Sequence, residues 1–273
     1  MFPSPKIFYI LLIFIFFTHA HAQTQYPPDI KKYLEFFNQS CGVENDYVKN
    51  ENSRPNTLLL IDATTPLNDN QKQFIVDNFI NSFEYSSKGE KISLVLLNQE
   101  PLSSMNFFTI CSPLPESKIK ATMATKILKQ DIKVFNDSLK GGFEALTKSN
   151  QEAQRSPIIE SLVEIFRNDR YGFKSGKRKI IIASDLYQHS DFLSFNEMCN
   201  KSNCEVFGKS MQRNNFKDLM DSVVKFDGSD DVQVDIFHLK TKNRVNLKSK
   251  NWWLSFFEHT GFKKDKVRVI TQL

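Results

Sequence analysis

The sequence predicts an α/β protein, a doubly wound and mainly parallel central sheet with helices on both faces. Three observations predict it. Apolar runs rich in Ile, Val and Leu alternate with segments of helical spacing, as strands joined by crossover helices require. Two of those runs, LLLID and KIIIASD, are near-continuous in apolar residues, the pattern of strands buried on both faces. Both then stop on an aspartate, Asp62 and Asp185, at the strand end where open parallel sheets form their ligand crevice.

The elements follow in order. TLLLIDA (57–63) reads as the first strand, and NDNQKQFIVDNFINSF (68–83) as a helix with Phe74, Ile75, Phe79, Ile80 and Phe83 on one face. Asn68 is placed to cap that helix, with Gln71 three residues on in capping-box register. KISLVLLN (91–98) and SMNFFTIC (104–111) read as strands, and 117–147 as helical with a break near Gly141 and Gly142. SPIIESLVEIFRN (156–168) reads as a helix, Ser156 its N-cap and Pro157 its first residue. A strand at 177–185, a helix at 215–226, a strand at 232–240 and a helix at 251–261 ending on a glycine follow. KVRVITQ (266–272) supplies an edge strand.

Before residue 57 the chain has a different character. Lys6, the apolar run 7–17 and THAHA, with small residues Ala20 and Ala22, read as a signal peptide over 1–22 and a mature start at Gln23. The run is short for a membrane span, which needs about 20 apolar residues; uncleaved, it would tether the same domain to a membrane. Residues 23–56, with Pro27, Pro28 and Pro55, read as an N-terminal extension packed on the 57–273 body. Export to a periplasmic or extracellular space makes the four cysteines disulfide candidates. Cys199 and Cys204 can close a small ring in a polar loop, leaving Cys41 and Cys111 as the other pair; zinc is disfavoured, since no paired C-x-x-C or clustered His accompanies them.

With 25% charged and 40% hydrophobic residues and a net charge of +5, the composition is that of an ordinary globular protein. Basic runs at 174–179 and 240–250 read as solvated faces, with an anionic-surface or nucleic-acid binder as the corresponding alternative. No G-x-G-x-x-G or P-loop follows a strand, so the alternating pattern is not a nucleotide site. Asp185 and His189 in SDLYQHSD admit a hydrolase reading, but no G-x-S-x-G elbow or H-E-x-x-H helix supports it. Trp253, Phe256 and Phe257 share a helical face that reads as core, which leaves Trp252 as the tryptophan expected at the surface.

If the two runs ending in aspartate lie side by side, their carboxylates converge and repel unless a cation sits between them. Mg2+ or Mn2+ suits carboxylate and hydroxyl oxygens, which Asp62, Asp185, Thr64 and Ser156 provide. Each residue also has a simpler role, in a turn or as a cap.

The element order, the DATTP turn (62–66), SPIIESL (156–162) and SDL (184–186) resemble the von Willebrand factor A-type (vWA) domain and its metal-ion-dependent adhesion site. The resemblance covers about 57–273 and is nearest to a bacterial exported subgroup of unassigned biochemistry. It implies the Rossmann-like vWA fold and a non-catalytic protein-binding or assembly module, its cation bridging to a carboxylate on a partner. Asp62 matches the first aspartate of the family's Asp-x-Ser-x-Ser loop, Thr64 its first hydroxyl, Ser156 the separate threonine ligand and Asp185 the aspartate of the Ser-Asp-Gly turn. Pro66 stands where the second hydroxyl belongs and Leu186 where the glycine does, so the site is a degenerate version of the family's.

Overall fold

The computed structural model describes residues 55–81, 90–97, 107–112, 121–148, 152–167, 177–199, 204–222, 231–241 and 249–272. The signal peptide expected at 1–22, nearly all of the expected 23–56 extension and Cys41 lie outside them. Six strands form one sheet: β1 (Asn56–Asp62), β2 (Lys91–Leu97), β3 (Phe107–Cys111), β4 (Arg178–Ser184), β5 (Val232–His238) and β6 (Val267–Thr271). Their spatial order is β3-β2-β1-β4-β5-β6, and every pairing is parallel except that of β2 with the edge strand β3.

Alternation along the strands sends side chains to two separate cores. Leu59 and Ile61 of β1 join Ile181, Phe237 and Leu94 beneath α1 (Asp69–Ile75) and α2 (Ala121–Lys148). Leu58 and Leu60 join Ile180, Ile182 and Val234 beneath α3 (Ile158–Arg167), α6 (Asn214–Ser222) and α7 (Ser249–His259). All seven residues of β1 are buried, which places it at the centre and explains why its sequence is not amphipathic.

Local signals act as their chemistry requires. Asn68 and Gln71 form the reciprocal capping box, with N–H to side-chain distances of 3.0 and 2.9 Å. After Ile75 this helix widens into a π turn over Val76–Ile80, shorter in regular α geometry than the expected 68–83. At the end of α7, Gly261 takes φ 99°, and the amides of Gly261 and Phe262 reach back to Glu258 and Phe257, a Schellman stop.

Three expectations are corrected. Helix α2 runs unbroken through Gly141 and Gly142, because its apolar stripe of Phe135, Leu139, Phe143 and Leu146 holds it to the sheet. Gly142 is a packing residue: a Cβ there would sit 2.9 Å from the Phe108 ring of β3. Trp252 is not the surface tryptophan. It is 2% exposed, since the short helices α4 (Phe195–Met198) and α5 (Phe207–Ser210) close over α7. Its ring meets Phe195 and Phe207 at 5.1 and 5.3 Å, and its Nε1 donates to Ser210 Oγ at 2.9 Å. Ser156, finally, does not cap α3, as its contacts below show.

Cys199 and Cys204 form the expected small-ring disulfide. Cys111 is disulfide-bonded too, and the partner expected for it, Cys41, is outside the described residues. No described helix is long and apolar enough to cross a membrane.

Candidate functional site

After β1 the chain builds outward through β2 and β3, and it resumes on the other side of β1 with β4. The switch in direction therefore falls between β1 and β4, where the strand ends leave a crevice. Asp62 closes β1 and Ser184 closes β4. The register pairs Asp62 with Leu97 on one side, and Ser184 with His238 on the other. Asp62 and Ser184 continue the strand positions of Leu58 and Leu60 and of Ile180 and Ile182, so they share one face of the sheet.

Asp62 is 6% exposed and accepts four hydrogen bonds. Its Oδ1 takes the Thr64 amide at 3.1 Å and the Thr64 hydroxyl at 2.6 Å. Its Oδ2 takes the hydroxyls of Ser156 at 3.2 Å and Ser184 at 2.6 Å. Three of the four residues singled out from sequence are thus in direct contact, drawn from β1, its following loop and the approach to α3. Ser184 is the one that the reading missed. Its signal was present in the strand's alternation, two residues beyond Ile182 on the face that Asp62 occupies.

Why Ser156 fails to cap α3 is visible in the backbone. Ser156 and His189 form a two-way β-bridge, with N–H to carbonyl distances of 2.8 and 3.0 Å, which leaves the Ser156 hydroxyl facing Asp62. A free amide of the first turn, that of Ile159, is capped instead by Gln188 Oε1 at 3.0 Å, from a side chain with no exposed surface. Gln188 Nε2 goes on to Glu160 Oε2 and Ser190 Oγ, both at 3.0 Å. Glu160 is half-buried; burial pushes its carboxyl above the ordinary value, against the opposing pull of Ser190, its own backbone amide, Gln188 and Arg155.

Asp185 is 9% exposed and organises the following turn, its Oδ1 accepting the Tyr187 amide at 3.0 Å and its Oδ2 the Thr241 hydroxyl at 3.5 Å. Leu186 follows with φ 61°, the left-handed region that a glycine enters without strain and a leucine does not. Three contacts hold it there. Its amide donates to Ser184 Oγ at 2.7 Å, its carbonyl accepts Trp253 Nε1 at 3.0 Å, and its side chain is buried. The departure from the glycine pattern is accommodated in the backbone, and the turn keeps the shape that glycine would give it.

Pro66 is exposed, and Thr65 beside it is half-buried. His189 directs Nδ1 to Ser194 Oγ at 2.8 Å, and that oxygen also accepts the Asn196 amide as the cap of α4. Asp185 and His189 therefore serve different turns. His238, next to Ser184 in the row across the sheet edge, is 3% exposed and its Nε2 is buried without a partner. Burial and then the charges of Lys240 and Lys250 hold its imidazole below the ordinary pKa.

The donor set suits a hard cation. A hydroxyl that gives its proton to a carboxylate keeps oxygen lone pairs for a metal, and Thr64 and Ser156 both give theirs to Asp62. No group of three or more His, Cys, Asp or Glu side chains converges as a metal centre among the described residues. A site here would rest on two carboxylates with hydroxyls.

No family model and no curated protein matches the chain. Among solved structures, it is similar to the pilus adhesin SpaC from Lactobacillus rhamnosus GG in its open conformation, with a TM-score of 0.37 and 11% identity. The match covers 80% of this chain and 28% of that one, so the chain spans under a third of the adhesin's length.

Proposed function

We propose that the protein is an exported, non-catalytic binding module of the vWA type. In this reading its crevice holds a Mg2+-type cation and a partner protein supplies a carboxylate to it. The observation that carries the proposal is the state of Asp62. A carboxylate 6% exposed is met by one amide and three hydroxyls, with no cationic side chain among its donors in the described residues. Neutral donors meet its oxygens, but none of them brings the positive charge that would balance a buried carboxylate. A bound cation resolves that.

Asp62, Thr64, Ser156 and Asp185 would hold the ion, and Ser184 fixes Asp62 for that task as a positioning residue. The cation would offer an open coordination position to an acidic group. The strand order, with one antiparallel edge and the switch beside β1, is that of a doubly wound sheet, which supports the reading at the level of architecture. The signal-like pattern of residues 1–22 supports export.

Calorimetric titration of the purified protein with MgCl2 and MnCl2 tests the reading, beside an Asp62→Ala, Asp185→Ala double variant whose circular dichroism shows it folded. Saturable binding in the wild type alone is the expected result. If the wild type takes up neither ion, the cation reading is wrong and Asp62 is an organiser of three loops.

A further inference from the structure

A second concave site lies beyond the crevice. The loop after β4, Glu197 of α4 and the start of α6 enclose a cavity of about 290 Å3. Its wall is built before any ligand arrives. Ser190 Oγ accepts the side chain of Gln188 and the amides of Phe192 and Leu193, Ser190 N donates to the Leu193 carbonyl, and Leu193 is buried as the loop's anchor.

Phe192 sits on this fixed turn with 42% of its surface exposed, while its neighbours Leu193 and Phe195 are buried. It is one of two exposed large hydrophobic residues among those described. A ring held in water by a rigid loop presents a flat apolar face to whatever enters the cavity.

The charged groups around it are tied up in pairs, with one carboxylate in excess. Asp191 is paired with Arg155, and Glu197 with Arg213, which also reaches Glu205 at 3.4 Å. The one excess carboxylate disfavours an anionic ligand, and no described side chain here is left to bind one as its counter-ion. What the lining offers besides Phe192 is planar hydrogen-bonding groups, the amides of Asn214 and Asn215 together with the Glu197 carboxylate and the Arg213 guanidinium. An apolar ring face in a cavity also lined by planar donors and acceptors suits a pyranose, whose C–H face can lie on the aromatic ring while its hydroxyls reach the amide and carboxylate groups.

At just under the ordinary range for ligand pockets, the cavity has room for one sugar ring and not for more. A second cavity of about 510 Å3 shares Glu197 and extends past Asn196 to the other exposed hydrophobic residue, Val206, at 66%. A chain of sugars can therefore run from one cavity to the next across Glu197.

We propose that the cavity beside Phe192 is a saccharide-binding site that stacks one pyranose ring of a neutral oligosaccharide on Phe192. It does not depend on the cation site. The test uses the full chain with cellotetraose, maltotetraose and tetra-N-acetylchitotetraose as probes, by saturation-transfer NMR and then calorimetry. At least one should bind with Kd of about 0.1–1 mM, a range ordinary for one or two sugar subsites of about −4 to −5.5 kcal/mol. Phe192→Ala should weaken it about tenfold or more, equal to about 1.4 kcal/mol. Phe192→Trp should retain it, and chelator should leave it unchanged. Failure of all three probes to bind at about 10 mM, tenfold above that range, overturns the proposal. So does binding that Phe192→Ala leaves intact, or loss in Phe192→Trp equal to that in Phe192→Ala.

Discussion

Two buried aspartates of this sheet are satisfied in opposite ways. Asp235, in the middle of β5, is 1% exposed and faces cations from both neighbouring strands. Arg268 of β6 grips it with two hydrogen bonds of 2.8 Å, Lys179 of β4 comes to 2.8 Å, and Gln233 adds a third side chain. Asp62, at the end of β1, is met by an amide and three hydroxyls among the described residues. Burial alone would raise the carboxyl of Asp235, but Arg268, Lys179 and Gln233 outweigh it and hold the group below the ordinary value. A carboxylate whose charge is already matched by the fold is a structural element. One met by neutral donors alone among the described residues is the place where the proposed cation would act.

The largest effect should come from stripping Asp235. Lys179→Ala with Arg268→Ala leaves a carboxylate buried with Gln233 alone, and stability should fall by about 3–5 kcal/mol, the range for a broken buried pair. Urea unfolding at neutral pH measures it. The sign with pH also follows: the folded pKa of Asp235 is depressed, so its contribution is full above the unfolded value near 3.8 and is lost as pH falls through the lowered one. A double variant as stable as wild type would mean that Asp235 is not held by its cations, and the contrast with Asp62 would lose its footing.

The second effect is smaller and bears on Asp62. Asp62→Asn keeps two acceptor lone pairs and removes the charge, so without metal it should cost about 1–2 kcal/mol. Its separate signature is linkage. Magnesium at ten times its Kd should stabilise the wild type by about 1.4 kcal/mol and leave Asp62→Asn unmoved, as thermal unfolding with and without the ion would record. Equal shifts in both proteins would put the ion elsewhere. Asp235→Asn should retain the full magnesium response, since its carboxylate is committed to Lys179 and Arg268.

The comparison shows what a sequence discloses. Strand runs, the Asn68 capping box and the stop at Gly261 were legible because each is a local pattern with one physical meaning. Asp62 was legible as a strand end, and Thr64 as its neighbour in the same turn. Gln188 and Ser184 were not, because their partners Ile159 and Asp62 lie 29 and 122 residues away. Ser156 was read as a cap because Ser-Pro before an apolar run does mean a cap locally; the bridge to His189, a tertiary contact, turned it to Asp62. The two short helices over Trp252 have too few residues to show a period, so its burial was unreadable. Leu186 shows the same limit: the sequence marks a missing glycine, while the retained left-handed turn depends on Trp253, 67 residues on.

Glu160 is the third case, and it gives the smallest effect. Like Asp62 it is hydrogen-bonded by neutral groups, and burial raises its affinity for a proton. Its folded pKa lies above the ordinary 4.5, so the folded state binds the proton more tightly than the unfolded chain does. The stability this contributes is present in full below about 4.5 and disappears as pH rises through the raised value. Glu160→Gln cannot ionise and still offers Gln188 an acceptor. Its stability relative to wild type should therefore increase across that window and level off above it, with a slope below the limit of about 1.4 kcal/mol per pH unit for one proton. Solvent reaches this half-buried group, so the slope should fall well short of that limit. Urea midpoints from pH 4 upward give the curve, and a difference that does not change with pH would mean that Glu160 is as fully ionised in the fold as outside it. In that event neutral donors alone suffice to hold a carboxylate charged in this part of the molecule, and the same would have to be granted to Asp62 without any cation.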